Sequence, residues 1–287
     1  MAADNKADLQ KINDTLLKKK YKRLNEILTD MGELVVGFSG GVDSTFLLRV
    51  AADILGRENV LAVTSCTETY PSRELKEAKK LAETLGVEQI VIHTSELDNE
   101  EFTRNDNMRC YYCKKELFSD VQEIAEKRSF SYVADGSNYD DKENDYRPGM
   151  KAARELGVRS PLMEAKMKKC DIRELSRRLD LPTWDKPSFA CLSSRFPYGN
   201  EIKEKELKKV DRAEEFLCSS YPISQLRVRN HDENTARIEV LPEDMETLLK
   251  YREEIVKKLK ELGYVYITFD IEGYRTGSMN EVLGKKK

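Results

Sequence analysis

The sequence contains no long hydrophobic run and carries almost no net charge. No segment reaches the roughly 18 consecutive apolar residues that a membrane-spanning helix needs, and the first 20 residues lack the apolar core of a signal peptide. The 287 residues have a formal charge of -3, whereas a surface that binds nucleic acid in general is strongly basic. We therefore expect a cytoplasmic protein without a membrane partner, and nucleic acid is not an expected ligand.

Two common nucleotide-binding motifs are also missing. The chain has no Gly-Lys-Ser/Thr of a Walker A loop and no G-x-G-x-x-G of a dinucleotide fold. Hydrophobic residues make up 39% and charged residues 35% of the chain, which provides a core and excludes a disordered chain of high net charge. In a cytoplasmic protein the six cysteines are expected to be thiols or metal ligands rather than disulfides.

The hydrophobic pattern predicts an α/β fold. Short apolar runs at 34–38, 60–64, 89–93 and 132–134 alternate with helical patterns at 43–55, 71–85 and 113–127, as in βαβ units with a parallel sheet. A helical pattern at 6–30 precedes them and another at 168–179 follows. From about residue 200 the pattern changes to helices at 204–217 and 242–262 and strands at 225–229, 236–240 and 264–271. We predict a domain at 1–199 and a small α+β domain at 200–287.

A glycine loop between the first predicted strand and the next helix is the strongest functional motif. Gly40 and Gly41 let the backbone approach an anion closely, and the start of the following helix offers unpaired N–H groups and a positive dipole end. Asp43 can place Mg²⁺ beside phosphates. We predict that ATP phosphates bind at Ser39, Gly40, Gly41, Val42, Asp43 and Ser44.

This loop resembles the Ser-Gly-Gly-Val-Asp-Ser motif of the PP-loop ATP pyrophosphatases, which include NAD and GMP synthetases and tRNA thiolation enzymes. The resemblance implies that ATP is cleaved between its α and β phosphates. AMP is then joined to the substrate, and pyrophosphate leaves from the glycine loop. A nucleophile finally displaces AMP.

Further motifs indicate which of the PP-loop enzyme families the chain resembles most. They are a C-x-x-C pair (Cys110 and Cys113), a loop cysteine followed by an arginine (Cys191 and Arg195), a polar segment after the fourth strand (135–141, with Asp140), and alternating arginines (Arg227 and Arg229). Together with the glycine loop, they resemble the LarE family along nearly the whole chain. That family inserts sulfur during synthesis of the nickel-pincer nucleotide cofactor of lactate racemase.

The resemblance implies a substrate, partners and site roles. The substrate is pyridinium-3,5-biscarboxylic acid mononucleotide, whose carboxylates are adenylylated and converted to thiocarboxylates. A homo-oligomer, a sulfide donor and a nickel-inserting partner protein are also implied. Arg195 is expected to hold a substrate phosphate or carboxylate, or else to fix its loop through an ion pair. Arg227 and Arg229 face the same way along one strand, either as a solvated face or as a phosphate and subunit contact, and the resemblance favours the second. From its residue type, Asp140 is expected to bind Mg²⁺ or fix the ribose, although acidic residues are also common in turns.

The sulfur source leaves three alternatives. In some LarE members one cysteine, matching Cys191, gives up its sulfur and becomes dehydroalanine, whereas others hold a [4Fe-4S] cluster on three cysteines. Because Cys110 and Cys113 accompany Cys191, we predict the cluster, with its fourth iron open to sulfide. The third alternative is a zinc or redox site, for which a fourth zinc ligand would come from Cys66, Cys170, Cys218 or His93.

Three other functions are also compatible with the sequence. A tRNA thiolation enzyme would also combine a PP-loop with three cysteines, an ammonia-using amide synthetase would leave the cysteines without a role, and a nucleotide-binding iron–sulfur carrier would catalyse no ATP–pyrophosphate exchange.

Overall fold

The structure is a computed structural model that describes residues 14–143, 148–187, 190–223 and 225–283. These residues form two compact units. The first contains the described residues of Met1–Cys66, Glu74–Thr94 and Cys110–Ser188, and the second contains those of Thr67–Arg73, Ser95–Arg109 and Phe189–Lys287. None of the described helices has the length and apolar character required to cross a membrane. The proposed division at residues 199 and 200 stays a prediction.

The first unit is built around a parallel sheet. Its strands are β1 (Leu34–Gly37), β2 (Val60–Cys66), β3 (Glu88–His93) and β4 (Val133–Ala134). The helices up to β4 are α1 (Thr15–Met31), α2 (Val42–Leu55), α3 (Ser72–Leu85), α4 (Glu100–Thr103) and α5 (Arg109–Lys127); α6 (Pro148–Glu155), α7 (Pro161–Glu164) and α8 (Lys169–Arg178) follow it. Helix α4 and the first residues of α3 and α5 belong to the second unit.

The strand order is β3-β2-β1-β4, and every pair is parallel. This confirms the predicted α/β class. Alternate residues of β1 enter different hydrophobic clusters, because successive side chains of a strand point to opposite faces. Leu34 and Val36 pack with α1, α2 and α8 in one cluster, whereas Val35 packs with α5 and α6 in the other. Strand β1 is therefore buried on both faces, and the residues that follow it are held by a rigid scaffold.

The second unit combines a three-stranded sheet with helices. Strands β5 (Leu226–Asn230) and β6 (Thr235–Val240) are antiparallel, and β7 (Tyr266–Phe269) pairs in parallel with β6. The helices are α9 (Glu204–Ser220), α10 (Met245–Lys250) and α11 (Arg252–Glu261). Their apolar residues share one core with β5 and β6, which includes Leu217, Val228 and Leu259. The predicted small α+β architecture is present.

Two predicted helix boundaries are wrong. Helix α5 begins at Arg109 rather than at Cys113, so both cysteines of the C-x-x-C pair lie within its first turns. The helix predicted over 242–262 divides into a 3₁₀ turn (Pro242–Asp244), α10 and α11. The break falls at Tyr251, whose ring packs against that of Tyr221 at 4.8 Å between centroids. Residues 6–13 of the first predicted helix and the 284–287 tail lie outside the described residues.

Candidate functional site

The glycine loop lies where β1 ends, between its neighbours β2 and β4. Gly40 has φ +63°, a left-handed conformation that glycine adopts without a steric penalty. The hydroxyl of Ser44 lies 3.3 Å from the Ser39 nitrogen and 3.1 Å from the Ser39 hydroxyl. These contacts close the loop on itself and lead directly into α2, whose N-cap is Gly41.

The space beside the start of α2 depends on a second glycine. A Cβ at Gly136, just after β4, would lie 2.9 Å from the Ser44 nitrogen and 3.1 Å from its Cα. Real Cβ atoms essentially never come within 3.0 Å of such an atom. The first N–H groups of a helix have no intrahelical partner, so the missing side chain keeps this anion-binding end accessible. A helix start of this kind suits an anionic group such as a phosphate.

The back of the loop is tightly packed. A Cβ added at Gly40 would lie 3.0 Å from the Cβ and 3.1 Å from the Cα of Ala78 in α3. Lys186 reaches the Gly40 carbonyl at 3.4 Å and forms ion pairs with Glu74 at 2.7 Å and Glu77 at 2.6 Å. These contacts hold the loop against α3 and fix the direction of its backbone groups.

Asp43 is the charged side chain of the loop. Its Oδ2 pairs with Lys169 Nζ at 2.5 Å, and the backbone N–H of Lys169 donates to Asp140 Oδ2 at 2.8 Å. Burial raises the pKa of the Asp43 carboxyl, and Lys169 offsets part of that rise. Asp43 Oδ1 is buried and accepts no hydrogen bond within the described part of the chain. An oxygen of this kind fits Mg²⁺, which takes one or two carboxylates together with substrate phosphates.

The three predicted cluster ligands belong to different units. Cys110 and Cys113 lie in the first unit on α5, where Cys110 is exposed and Cys113 half-buried, and Cys191 lies in the second unit. All are thiols. Across residues 14–143, 148–187, 190–223 and 225–283, no three histidine, cysteine, aspartate or glutamate side chains are grouped as a metal site. Cysteine thiolates are the usual ligands of iron–sulfur clusters, so the chemistry of these three side chains suits iron.

Cys191 immediately precedes a 3₁₀ turn, Leu192–Arg195. Its Sγ lies 2.8 Å from the Ser193 hydroxyl, and that serine is buried. The Leu192 N–H donates to the Thr69 carbonyl at 2.8 Å, so the residue after the cysteine is tied to another segment of the unit. The sulfur is half-buried and next to a hydroxyl that can donate a hydrogen bond to a thiolate.

Arg195 has 1% of its surface exposed, and its nitrogen atoms contact protein groups. Nε and Nη2 pair with the two carboxylate oxygens of Glu214 at 2.9 and 2.8 Å. Nη1 donates to the Ala190 and Cys191 carbonyls at 2.8 and 3.1 Å. Of the two roles considered from the sequence, these contacts favour the ion pair that fixes the loop.

Arg227 and Arg229 are both buried in β5 but differ in their partners. Arg229 pairs with Glu239 at 2.6 Å, whereas the Arg227 guanidinium lies 5.3 Å from the centre of the Tyr274 ring. Burial and the positive charge of Arg195 lower the pKa of Arg227 to about 10. The negative charge of Glu214 offsets part of this fall in the pKa of Arg227.

Four residues of these sites were given no role of their own from the sequence, although Gly136 lies in the 135–141 segment and Ser193 lies between Cys191 and Arg195. Gly136 had a readable signal, because a glycine directly after a strand can mark close backbone approach. Lys169, Ser193 and Glu214 had none, since serine, lysine and glutamate are common on helices and turns. The contacts of Lys169 with Asp43 and of Glu214 with Arg195 join residues 126 and 19 positions apart.

Known proteins are similar to this chain either over its N-terminal part or over nearly its whole length. The NAD synthase family profile matches residues 10–114. An uncharacterized protein of Synechocystis is 40% identical, over 94% of this chain and 100% of that protein. The pyridinium-3,5-bisthiocarboxylic acid mononucleotide synthase of Lactiplantibacillus plantarum is 38% identical, over 94% of this chain and 96% of the synthase. A Methanocaldococcus jannaschii protein is 32% identical over 91% and 94% of the two chains.

Proposed function

The chain belongs to the LarE family of pyridinium-3,5-bisthiocarboxylic acid mononucleotide synthases, and from that membership we propose an ATP-dependent sulfurtransferase. It adenylylates the carboxylates of pyridinium-3,5-biscarboxylic acid mononucleotide and replaces an oxygen of each with sulfur. The observation that supports this most is the 38% identity to the Lactiplantibacillus synthase over 94% of the chain. The NAD synthase match ends at residue 114, so it includes the glycine loop but neither Cys191 nor β5.

The glycine loop would serve the first half-reaction. A substrate carboxylate oxygen attacks the α phosphorus of ATP, the bond to the β-phosphate oxygen breaks, and pyrophosphate leaves as an acyl adenylate forms. The N–H groups at the start of α2, which Gly136 leaves accessible, would bind the charge that develops on the leaving pyrophosphate. Mg²⁺, held by Asp43 and the phosphates, would neutralise that charge when it is bound.

The second half-reaction needs a sulfur nucleophile. Its sulfur attacks the acyl carbon, the bond to the AMP oxygen breaks, and AMP leaves with the original carboxylate oxygen. Arg227 is buried on β5 and is proposed to bind the substrate phosphate through its guanidinium, with Arg229, two residues along the strand, on the same face. The same chemistry then repeats on the second carboxylate.

We propose that Cys110, Cys113 and Cys191 would hold a [4Fe-4S] cluster and that this cluster is the source of the transferred sulfur. Three thiolates leave the fourth iron of such a cluster without a protein ligand, and the bound cluster would supply the sulfur nucleophile. In the alternative, Cys191 Sγ attacks the acyl carbon itself; loss of the Cys191 α-proton then breaks the Cβ–Sγ bond and leaves dehydroalanine.

Anaerobic reconstitution separates these two sulfur sources. The cluster predicts about four irons and four labile sulfides per chain, and loss of both in a Cys110→Ala/Cys113→Ala variant. Trace iron, together with a chain that becomes lighter by one hydrogen sulfide after a single turnover, would instead support donation by Cys191. Cys170→Ala is the matched control, because that exposed cysteine is not assigned to the site.

Asp43→Asn is expected to lower ATP–pyrophosphate exchange by about 100-fold, since loss of one charge-stabilising group typically has an effect of this size. The same change is expected to raise the unfolding temperature at pH 7. The folded-state pKa of Asp43 is raised, so its ionised form costs stability above the unfolded-state pKa, and asparagine removes that cost. Exchange assays and thermal unfolding measure the two effects. A variant that is less stable and fully active would contradict both.

The NAD synthase match specifically favours one second candidate, an ammonia-using amide synthetase. Exchange assays with the pyridinium biscarboxylate mononucleotide, followed by sulfide or ammonia, distinguish the two. We expect substrate-dependent exchange and a thiocarboxylate product. Amide formation with ammonia would favour the amide synthetase. Salt-sensitive tRNA binding together with tRNA thiolation would favour a tRNA thiolation enzyme. The absence of any ATP–pyrophosphate exchange would favour an iron–sulfur carrier.

A further inference from the structure

The main chain around Cys191 is bound by a buried arginine. We define the Cys191 loop as residues 190–195. Within it, Arg195 Nη1 donates to the Ala190 carbonyl at 2.8 Å and to the Cys191 carbonyl at 3.1 Å. Hydrogen bonds from a charged donor are about twice as strong as neutral ones. The two peptide groups that flank the Cys191 Cα are therefore fixed by one guanidinium.

Two more buried arginines bind the next carbonyls of the Cys191 loop. Arg109 Nη1 donates to the Ser193 carbonyl at 2.9 Å, and Arg229 Nη1 donates to the Ser194 carbonyl at 3.1 Å. Both arginines are 5% exposed. Four of the loop's carbonyl groups are thus held by charged side chains, which is far more than a solvent-facing turn requires.

Glu214 balances the charge of the buried Arg195. Glu214 in α9 pairs with both the Nε and Nη2 atoms of Arg195, and its Oε1 accepts the Val228 N–H at 2.8 Å. Burial opposes the charge of Glu214, but Arg195, Arg227 and the Val228 N–H together lower the Glu214 pKa below its ordinary value. Because removal of one partner leaves the other as an uncompensated buried charge, the pair acts as a unit.

On the basis of the proposed function, we infer that Arg195 and Glu214 are positioning residues for the Cys191 sulfur. Glu214 connects the guanidinium to α9 and to the β5 backbone, and the guanidinium connects both to the carbonyls on either side of Cys191. The sulfur is thereby held at a fixed place relative to the rigid elements of the unit, where it contacts the Ser193 hydroxyl at 2.8 Å. Neither residue contacts the substrate.

The test uses three variants and one matched control in the full-length chain. Arg195→Met removes the guanidinium, Glu214→Gln removes only the negative charge, and Arg195→Lys keeps a positive charge that cannot reach both carbonyls. The control is Glu206→Gln, because Glu206 is also buried in α9 and also ion-paired, to Lys209 at 2.5 Å. Within the described part of the chain, the ion pairs and hydrogen bonds of Glu206 do not involve the Cys191 loop, so this variant reports the effect of losing a buried carboxylate alone.

We expect the three variants to exchange the amide hydrogens of residues 190–196 at least about tenfold faster than wild type. Sulfur transfer is expected to fall by about 100-fold, the effect of displacing a reacting group by about 1 Å. ATP–pyrophosphate exchange and its KM for the pyridinium substrate are expected to change less than about twofold, because exchange does not need the sulfur. Glu206→Gln is expected to match wild type in all of these measurements.

Two results would overturn the inference. One is a folded Arg195→Lys or Glu214→Gln variant that matches Glu206→Gln in loop exchange and sulfur transfer. The other is an Arg195→Lys variant with a raised KM in ATP–pyrophosphate exchange, which would place Arg195 on the substrate. If wild type transfers no sulfur, the proposed function fails, and the amide exchange of residues 190–196 still decides whether the pair holds the loop.

Discussion

Gly136→Ala is expected to reduce ATP–pyrophosphate exchange by about 100- to 1,000-fold, the range seen when an anion-stabilising donor is lost. The new Cβ would lie 2.9 Å from the Ser44 nitrogen and 3.3 Å from the Asp43 carbonyl carbon. Both are backbone atoms, so neither can move without shifting the start of α2. The methyl group would also cover N–H groups that a phosphate needs. Exchange of labelled pyrophosphate into ATP measures the effect.

Gly157→Ala is the control for this prediction. Gly157 has φ +70° and open space around its Cα, so alanine there strains the backbone without entering the glycine loop. We expect a loss of stability of about 1 kcal/mol and near-wild-type exchange. If Gly136→Ala exchanges pyrophosphate as well as Gly157→Ala does, the start of α2 is not where pyrophosphate is bound.

Cys191→Ala is expected to abolish sulfur transfer, by at least about 1,000-fold, and to leave ATP–pyrophosphate exchange near the wild-type rate. The prediction holds for either sulfur source, because Cys191 is a cluster ligand in one and the donor in the other. The acyl adenylate would still form, and water would slowly hydrolyse it to AMP and the original carboxylate. Thiocarboxylate and AMP, quantified separately, distinguish the two half-reactions.

Other cysteine variants show whether this loss is specific. Cys218→Ala is the matched control in the second unit, since Cys218 is half-buried in α9 and burial raises the pKa of its thiol, which makes it a poor nucleophile. We expect it to transfer sulfur normally. Cys110→Ala/Cys113→Ala is expected to lose transfer if a cluster carries the sulfur. Normal transfer by Cys191→Ala would remove that cysteine from the mechanism under either route.

The parallel sheet and the glycine loop could be read from local sequence. β1 is a short apolar run that leads into Gly40 and Gly41, and both the strand period and the glycine requirement are local properties. The structure confirms the α/β class, and it places the loop at the carboxyl end of β1. The loop is also where ligands bind in open parallel sheets, so its prediction needed no tertiary information.

The surroundings of Cys191 could not be read in this way. A sequence pattern suggests a reactive cysteine in a loop, but the partners of that loop come from Arg109, Glu214 and Arg229, on three separate elements. The burial of a side chain depends on the packing of the whole unit and cannot be read from neighbouring residues. The local sequence therefore does not distinguish an arginine that binds substrate from one that binds a backbone carbonyl. The contacts of Arg195 therefore favour the ion pair, and its role in the reaction stays a prediction.

The predicted helix boundaries are wrong where tertiary packing overrides the local helical preference. The pattern over 242–262 is helical throughout, yet Tyr251 leaves the helix (φ -102°, ψ 16°) as its ring packs on Tyr221. The start of α5 moved in the opposite direction, to Arg109, a residue whose side chain binds the Asn105 side chain and the Ser193 carbonyl. In both cases a long-range contact decides the conformation of one residue.

The most direct test of the account is product mass analysis after incubation of wild-type protein with pyridinium-3,5-biscarboxylic acid mononucleotide, ATP, Mg²⁺ and sulfide labelled with heavy sulfur. The account predicts a product in which sulfur replaces one oxygen of each carboxylate, with AMP and pyrophosphate released in equal amounts, and the cluster route predicts that this sulfur is labelled. Unlabelled sulfur in the product, with dehydroalanine at position 191, would keep the function and change the sulfur source. An unaltered mononucleotide, or one converted to an amide, would contradict the account.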